Sequence, residues 1–242
     1  MKNKITNKYH KQILELIVSN SGKPTQHTYS DSYLGNDHKR YPISAPVLRT
    51  IAKKWMKEHD LDPHELVDLL TSLIQGESST EKCMVGILLD CSKKTQRKFP
   101  PRYFDQWLDH LVGWAEVDSV CTGKYTMTEV PDQWEQWEKL LTKFSKSKNI
   151  NKRRASLVIF CSPVSQVRDE RLCVLAFENI DKLKHEKEVL ITKAISWVLR
   201  SMIKHYRKEV TEYLNKEPES LPKIAVRETM VKLKTGRKTT KK

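Results

Sequence analysis

The sequence predicts an all-α fold. Only 7 of its 242 residues are Gly, so positions that break helices are few. Lys, Leu, Glu and other straight-chain residues, which lose little rotamer freedom in a helix, are abundant. Apolar residues recur with helical periodicity along nearly the whole chain, and no convincing strand alternation interrupts them.

The elements follow in order. A first helix is expected from about Asn7 to Asn20, through YHKQILELIVSN. The polar stretch SGKPTQHTYSDSYLGNDHKRYPIS, with its Gly, Pro, Asp and Asn, reads as a long loop. APVLRTIAKKWMKEH opens a helix at Ala45, with Pro46 suited to a first turn. In DPHELVDLLTSLIQG, Asp62 is the expected N-cap, Pro63 stands behind it, and Gly76 is the stop. STEKCMVGILLDCS starts at Ser79 or Thr80, and RYFDQWLDHLVG and WAEVDSVCTGKY meet near Gly113. DQWEQWEKLLTKFSKS follows Pro131, and NKRRASLVIFCSP ends at Pro163. VSQVRDERLCVLAFENI, EKEVLITKAISWVLRSMIKH, RKEVTEYLNK and PESLPKIAVRETMVKLK complete the chain.

Short helices in pairs, joined by linkers of a few residues, are the pattern of helical solenoids. No sharp repeat is visible, so the expected architecture is a degenerate, HEAT-like α-α superhelix of about six helical pairs. Each pair alone cannot hide its apolar face, and stacked neighbours supply the core. Nothing divides the chain, so residues 1–235 are expected to form one domain, with 236–242 as a basic, flexible tail.

Composition narrows the function. The net charge is +14, spread over the chain and densest in KLKTGRKTTKK at residues 232–242. Such basicity on a folded body points to a polyanion, most often nucleic acid, although solubility alone is a plainer reason. No signal peptide or long apolar run is evident, and the chain is expected to be cytoplasmic, nucleoid-associated in a prokaryote. The 5 Cys are odd in number and lack a C-x-x-C pair, so reduced core thiols are expected and a structural zinc is not. The motifs of nucleotide hydrolysis, dinucleotide binding, zinc proteolysis and serine hydrolysis are absent.

One stretch breaks the apolar pattern. LVGWAEVDSVC, residues 111–121, carries Asp118 one helical turn after Trp114, so the carboxylate and the indole leave one face. Alone, an Asp on an apolar helix is more often a cap or an arginine partner, and a Trp at helical spacing is more often core.

WAEVDSVC, NINKRRASLVIF (149–160) and ITKAISWVLRSMIKH (191–205) together resemble the DNA alkylation repair glycosylases of the AlkD-like family. YLGNDHKRYPISAPVLRTIAKKW and LPKIAVRETMVKL resemble the family's N-terminal region and last helix, so the likeness runs from about residue 30 to 235. The sequence departs from the family pattern at Ala115, where an aromatic or acidic residue is common, and at Asn151, where a Trp is common. The resemblance implies a HEAT-like superhelix holding duplex DNA in its concave face. It also implies excision of N3- or N7-alkylated purines by cleavage of the N-glycosidic bond, without a deep base-flipping pocket.

An alkylated N3 or N7 purine is cationic and already a good leaving group. What remains is the sugar, which becomes oxocarbenium-like as the bond breaks. One fixed carboxylate near C1′ answers that need and can orient a water. The resemblance gives this role to Asp118, with Trp114 and Trp197 as the indole walls that attract the cation. Trp55, Trp107, Trp134 and Trp137 are assigned to packing. Arg154 is the expected phosphate contact, and Arg153, about 100° round the helix, points elsewhere. Lys193, Arg200 and Lys204 form a basic row suited to a DNA backbone, which Arg207 would extend. Tyr33, Arg40 and Tyr41 are candidate groove or backbone contacts.

The expected activity is that of a monofunctional alkylpurine DNA glycosylase, a monomer that needs no metal or organic cofactor and cuts no strand. A non-catalytic HEAT-like nucleic-acid-binding module and a protein-interaction scaffold are the alternatives.

Overall fold

The computed structural model describes residues 7–23, 38–216 and 218–238. The chain is all-helical: thirteen α-helices and three short 3-10 turns, with no strand among the described residues. The only ladder contact among them is one isolated bridge, Lys39 with Ser78. It divides into two compact units, residues 1–125 and 126–242, and the boundary falls inside one helix. No described helix is long and apolar enough to cross a membrane.

The first unit contains α1 (Lys8–Ser19), α2 (Ala45–Glu58), α3 (Pro63–Ile74), α4 (Ser79–Cys91), α5 (Tyr103–Trp107) and α6 (Gly113–Cys121). Local signals start these helices. Asp62 caps α3, taking the His64 and Glu65 amides, while Glu65 reaches back to the Asp62 amide. The same box starts α4 at Ser79, the first of the two expected residues, with Ser78 as the cap and Glu81 as its return partner. Pro46 and Pro63 occupy first-turn positions, where a missing N–H costs nothing.

Apolar burial then assembles the unit. Leu66, Leu69, Leu70, Leu73 and Ile74 of α3 are almost fully buried, as are Met84, Val85 and Leu88 of α4. Phe104 and Trp107 pack with Phe99 and Tyr125 in an aromatic cluster, and the Trp107 indole donates to Thr71 Oγ1 at 2.9 Å.

Helix α7 (Lys124–Asp132) carries the chain across the unit boundary. The sequence reading assigns residues 126–131 to no helix and starts the next helix after Pro131. Pro131 instead lies inside the last turn of α7, where helix formation before it is undisturbed.

The second unit holds α8 (Trp134–Ser145), α9 (Ile150–Val158), α10 (Glu170–Leu183), α11 (Val189–Met202), α12 (Arg207–Lys216) and α13 (Lys223–Thr235). Helix α9 is shorter than its apolar run suggests, because residues 159–161 and 163–165 tighten into 3-10 turns around Pro163. Helix α10 accordingly begins at Glu170, behind the cap Asp169, whose carboxylate accepts the Arg171 amide, and not at Val164. Asn179 is fully buried and donates to the carbonyls of Leu141 and Ser156, tying α10 to α8 and α9. Gly236, at φ 72°, closes α13 by donating to the Lys232 carbonyl.

None of the five cysteines forms a disulfide. Cys121, Cys161 and Cys173 are buried, and Cys83 and Cys91 are half-buried. Burial pushes the Cys83 thiol up to about 11 and the Cys173 thiol up to about 12, and it raises Cys91 as well.

Candidate functional site

In the first unit the candidate residues gather on α6. That helix lies backbone against backbone on α4: a Cβ at Gly86 would stand 1.7 Å from the Ser119 carbonyl oxygen. Only glycine permits this approach. Ser119 Oγ donates to the Cys83 carbonyl at 2.9 Å, and Cys83 Sγ points at the Ala115 carbonyl at 3.8 Å. Ala115 and Ser119, one turn apart, therefore face α4. Trp114 and Asp118, each one residue earlier, form the neighbouring face and are half-buried. The Asp118 carbonyl takes the Thr122 amide at 3.0 Å and its hydroxyl at 2.7 Å, which closes the last turn.

Glu116 lies between these two residues in sequence and is wholly buried. Its carboxylate accepts from the Val112 amide at 2.9 Å and from His38 Nδ1 at 2.8 Å. His38 begins the segment that carries Arg40 and Tyr41. The Lys39 carbonyl accepts the Ser79 amide at 2.8 Å, and the Tyr41 amide donates to Thr80 Oγ1 at 3.0 Å. Arg40 and Tyr41 are thus anchored at the start of α4 and tied through His38 to α6. Arg40 and Glu116 both exert their charge on the Cys83 thiol, with opposite signs. Tyr33 lies outside the described residues.

A buried polar set lies behind α4. His10 joins Ser72 Oγ and Glu81, each at 2.8 Å. Burial opposes the charge on Glu81, but hydrogen bonds from His10 and Ser78 hold its carboxyl below the usual value. Lys82 Nζ donates to the carbonyls of Ile74 and Gly76, and burial pulls its ammonium below the ordinary lysine value.

In the second unit, Arg154, Lys193, Trp197 and Arg200 line one cavity of about 250 Å³, together with Ile224, Glu228 and Lys238. Lys193, Trp197 and Arg200 are spaced i, i+4, i+7 on α11, so one helix face supplies all three. Four cations and one carboxylate make this lining strongly positive. Glu228 Oε2 accepts from Ser196 Oγ at 2.6 Å and pairs with Arg200 Nη2 at 3.4 Å, while Arg200 Nε donates to the same hydroxyl at 3.2 Å. Burial pulls the Arg200 guanidinium below its ordinary value, and Glu228 works against that shift.

The adjacent arginines part company. Arg154 is 4% exposed, donates to the Leu190 carbonyl and lines the cavity. Arg153 is bound to Glu186 and to the carbonyls of Ser147 and Lys148, and does not line it. Helix α11 ends at Met202, so Lys204 lies in the turn that follows and Arg207 at the start of α12, and neither lines the cavity that Lys193 and Arg200 share. Lys204 is exposed in this turn, and Arg207 donates to the Leu233 carbonyl.

Of the six tryptophans, Trp55, Trp107, Trp134 and Trp137 are buried, and only Trp114 and Trp197 are left half-exposed. Sequence reading missed His38, Glu116, Glu228 and Lys238. The i, i+4 pair Ile224 and Glu228 was a usable signal for one helix face; nothing in the sequence tied His38 to Glu116 across 78 residues. Among the described residues no group of three or more His, Cys, Asp or Glu could hold a metal ion.

A family model described as DNA alkylation repair enzyme matches residues 16–233. No individual curated protein matches the chain.

Proposed function

The chain belongs to the DNA alkylation repair enzyme family, and from that premise we propose that it excises cationic N3- or N7-alkylated purines from double-stranded DNA by hydrolysing the N-glycosidic bond. One observation carries the reading. The two half-exposed tryptophans are the two that the family resemblance assigns to the site. Trp114 stands one helical turn from a carboxylate, and Trp197 stands in a cavity lined by four cations.

The chemistry suits so small a set of groups. As the C1′–N bond breaks, its electron pair moves onto the purine and cancels the charge there, so the base leaves neutral without a general acid. Positive charge appears on the sugar. Asp118 stabilises that charge and orients the water that adds to C1′, whose proton passes to the carboxylate or to solvent. The indole of Trp114, one turn from Asp118, adds cation–π attraction of about 0.5–2 kcal/mol, the role that the family resemblance also gives to Trp197. Arg154, Lys193 and Arg200 hold the phosphates beside the lesion. Products are a free alkylated base and an abasic site in an uncut strand. No deep pocket for an extruded base is required, because the leaving group is activated before it is bound.

The test is release of free base from a duplex carrying N7-methylguanine, followed by chromatography. Native chain releases base, and Asp118→Asn slows release by about 10²–10³, as loss of one preorganised electrostatic group does. Duplex affinity stays within roughly threefold, since Asp118 contributes no phosphate contact. An unchanged rate in Asp118→Asn removes Asp118 from the mechanism. Normal duplex binding with no release by the native chain identifies a non-catalytic binding module instead.

A further inference from the structure

Helix α13 outlasts the matched family region by two residues, and the chain then turns back toward the Trp197 cavity. Gly236 makes the turn in a left-handed conformation that other residues adopt only with strain. The Thr235 hydroxyl accepts the Arg237 amide at 3.2 Å and fixes the first step of the return. Lys238 then reaches Glu228, Nζ to Oε1 3.9 Å, and lines the cavity beside Arg154, Lys193 and Arg200.

The two halves of the Glu228 carboxylate are bound unequally. Oε2 is engaged by Ser196 and Arg200, both on α11, and its side chain is 15% exposed. Among the described residues Oε1 meets only a long contact from a lysine whose side chain is 59% exposed. A pair at this distance with one exposed partner is weak and partly screened by salt. Glu228 keeps its α11 partners if the lysine departs. Lys238 is therefore a cation held at the cavity by an interaction that a more highly charged anion displaces.

We propose that Lys238 is a DNA-phosphate contact supplied by the segment that follows the family fold, parked on Glu228 until a backbone phosphate replaces the carboxylate. This rests on the duplex-binding reading above. Each lysine that neutralises a phosphate releases about one counterion, so its loss lowers the salt slope of binding by about one.

Undamaged duplex is titrated by fluorescence anisotropy across a salt series, with the full-length native chain, Lys238→Gln, Lys238→Arg and Lys234→Gln. Lys234 is exposed on α13, does not line the cavity, and matches the charge lost. Lys238→Gln weakens binding roughly threefold or more at low salt and lowers the slope by about one, while Lys238→Arg keeps both. On alkylated duplex, Lys238→Gln raises KM and leaves kcat unchanged. Equal effects of Lys238→Gln and Lys234→Gln, or an unchanged slope in Lys238→Gln, overturn this assignment and leave the enzyme reading intact. A native chain that binds no duplex overturns both.

Discussion

Arg153 and Glu186 form a two-pronged ion pair, Nε–Oε1 2.8 Å and Nη2–Oε2 3.2 Å, that ties the start of α9 to the loop between α10 and α11. The third prong, Nη1, donates to the Ser147 and Lys148 carbonyls at 2.9 Å each. A planar guanidinium satisfies all four acceptors at once, which lysine cannot do. The neighbouring Arg154 is thereby left as the arginine of this pair that lines the cavity.

Arg153→Ala should therefore act on stability more than on DNA. The pair is 18% and 26% exposed, so solvent screens part of it. The expected loss is about 1–2 kcal/mol, from a partly screened ion pair and two carbonyls left to water. Chemical denaturation measures it. Duplex affinity measured alongside should shift less than roughly twofold, against a larger loss in Arg154→Ala. A variant that melts like the native chain but binds DNA poorly reverses the two roles.

Gly86→Ala tests the seating of α6 on α4. Alanine favours a helix by about 1 kcal/mol over glycine, but here its methyl group meets the Ser119 backbone, which cannot rotate out of the way. The net expectation is destabilisation by about 1–3 kcal/mol, with base release impaired in the fraction that folds. A denaturation midpoint at or above the native value contradicts the close approach.

Glu81 sets an acid limit on the first unit. Its folded carboxyl lies below the usual value of 4.5, so the folded state holds it ionised more readily than the unfolded chain does. The stability it contributes is present above that unfolded value and fades as pH falls through the lower, folded one. His10 from α1, Ser78 and Lys82 face the same carboxylate. Thermal melts between pH 6 and pH 3 should show Glu81→Gln with a shallower acid decline than the native chain. A parallel decline in both places the acid-sensitive group elsewhere.

The helices were legible because their causes are local. Asp62 with Pro63 and Glu65, Pro46 near a first turn and Gly236 after the last helix each act within a few residues. What escaped was set by tertiary contact. Residues 126–131 of α7 are assigned to no helix from sequence, with Pro131 read as preceding the next one, yet a proline in the last turn ends a helix without preventing one. The Lys193, Arg200 and Lys204 row read as one stripe because spacing alone cannot show that α11 ends at Met202, with Lys204 in the turn beyond it and outside the cavity lining. The candidate site was proposed as a set of residue types through family likeness. That Arg153 goes to Glu186, that Glu228 holds Arg200 and that Lys238 joins the cavity depend on residues 33 and 28 positions apart or on a tail outside the matched region.

The state of the thiols has a consequence for survival. Agents that methylate purines also methylate sulfur, and the thiolate is the form they attack. With Cys83 at about 11 and Cys173 at about 12, and Cys121 and Cys161 shut inside, almost no thiolate is offered at neutral pH. Cys91, half-buried and also raised, is the least sheltered of the five. Exposure to a methylating agent is therefore expected to modify these thiols slowly, and mass spectrometry should find the first adduct at Cys91.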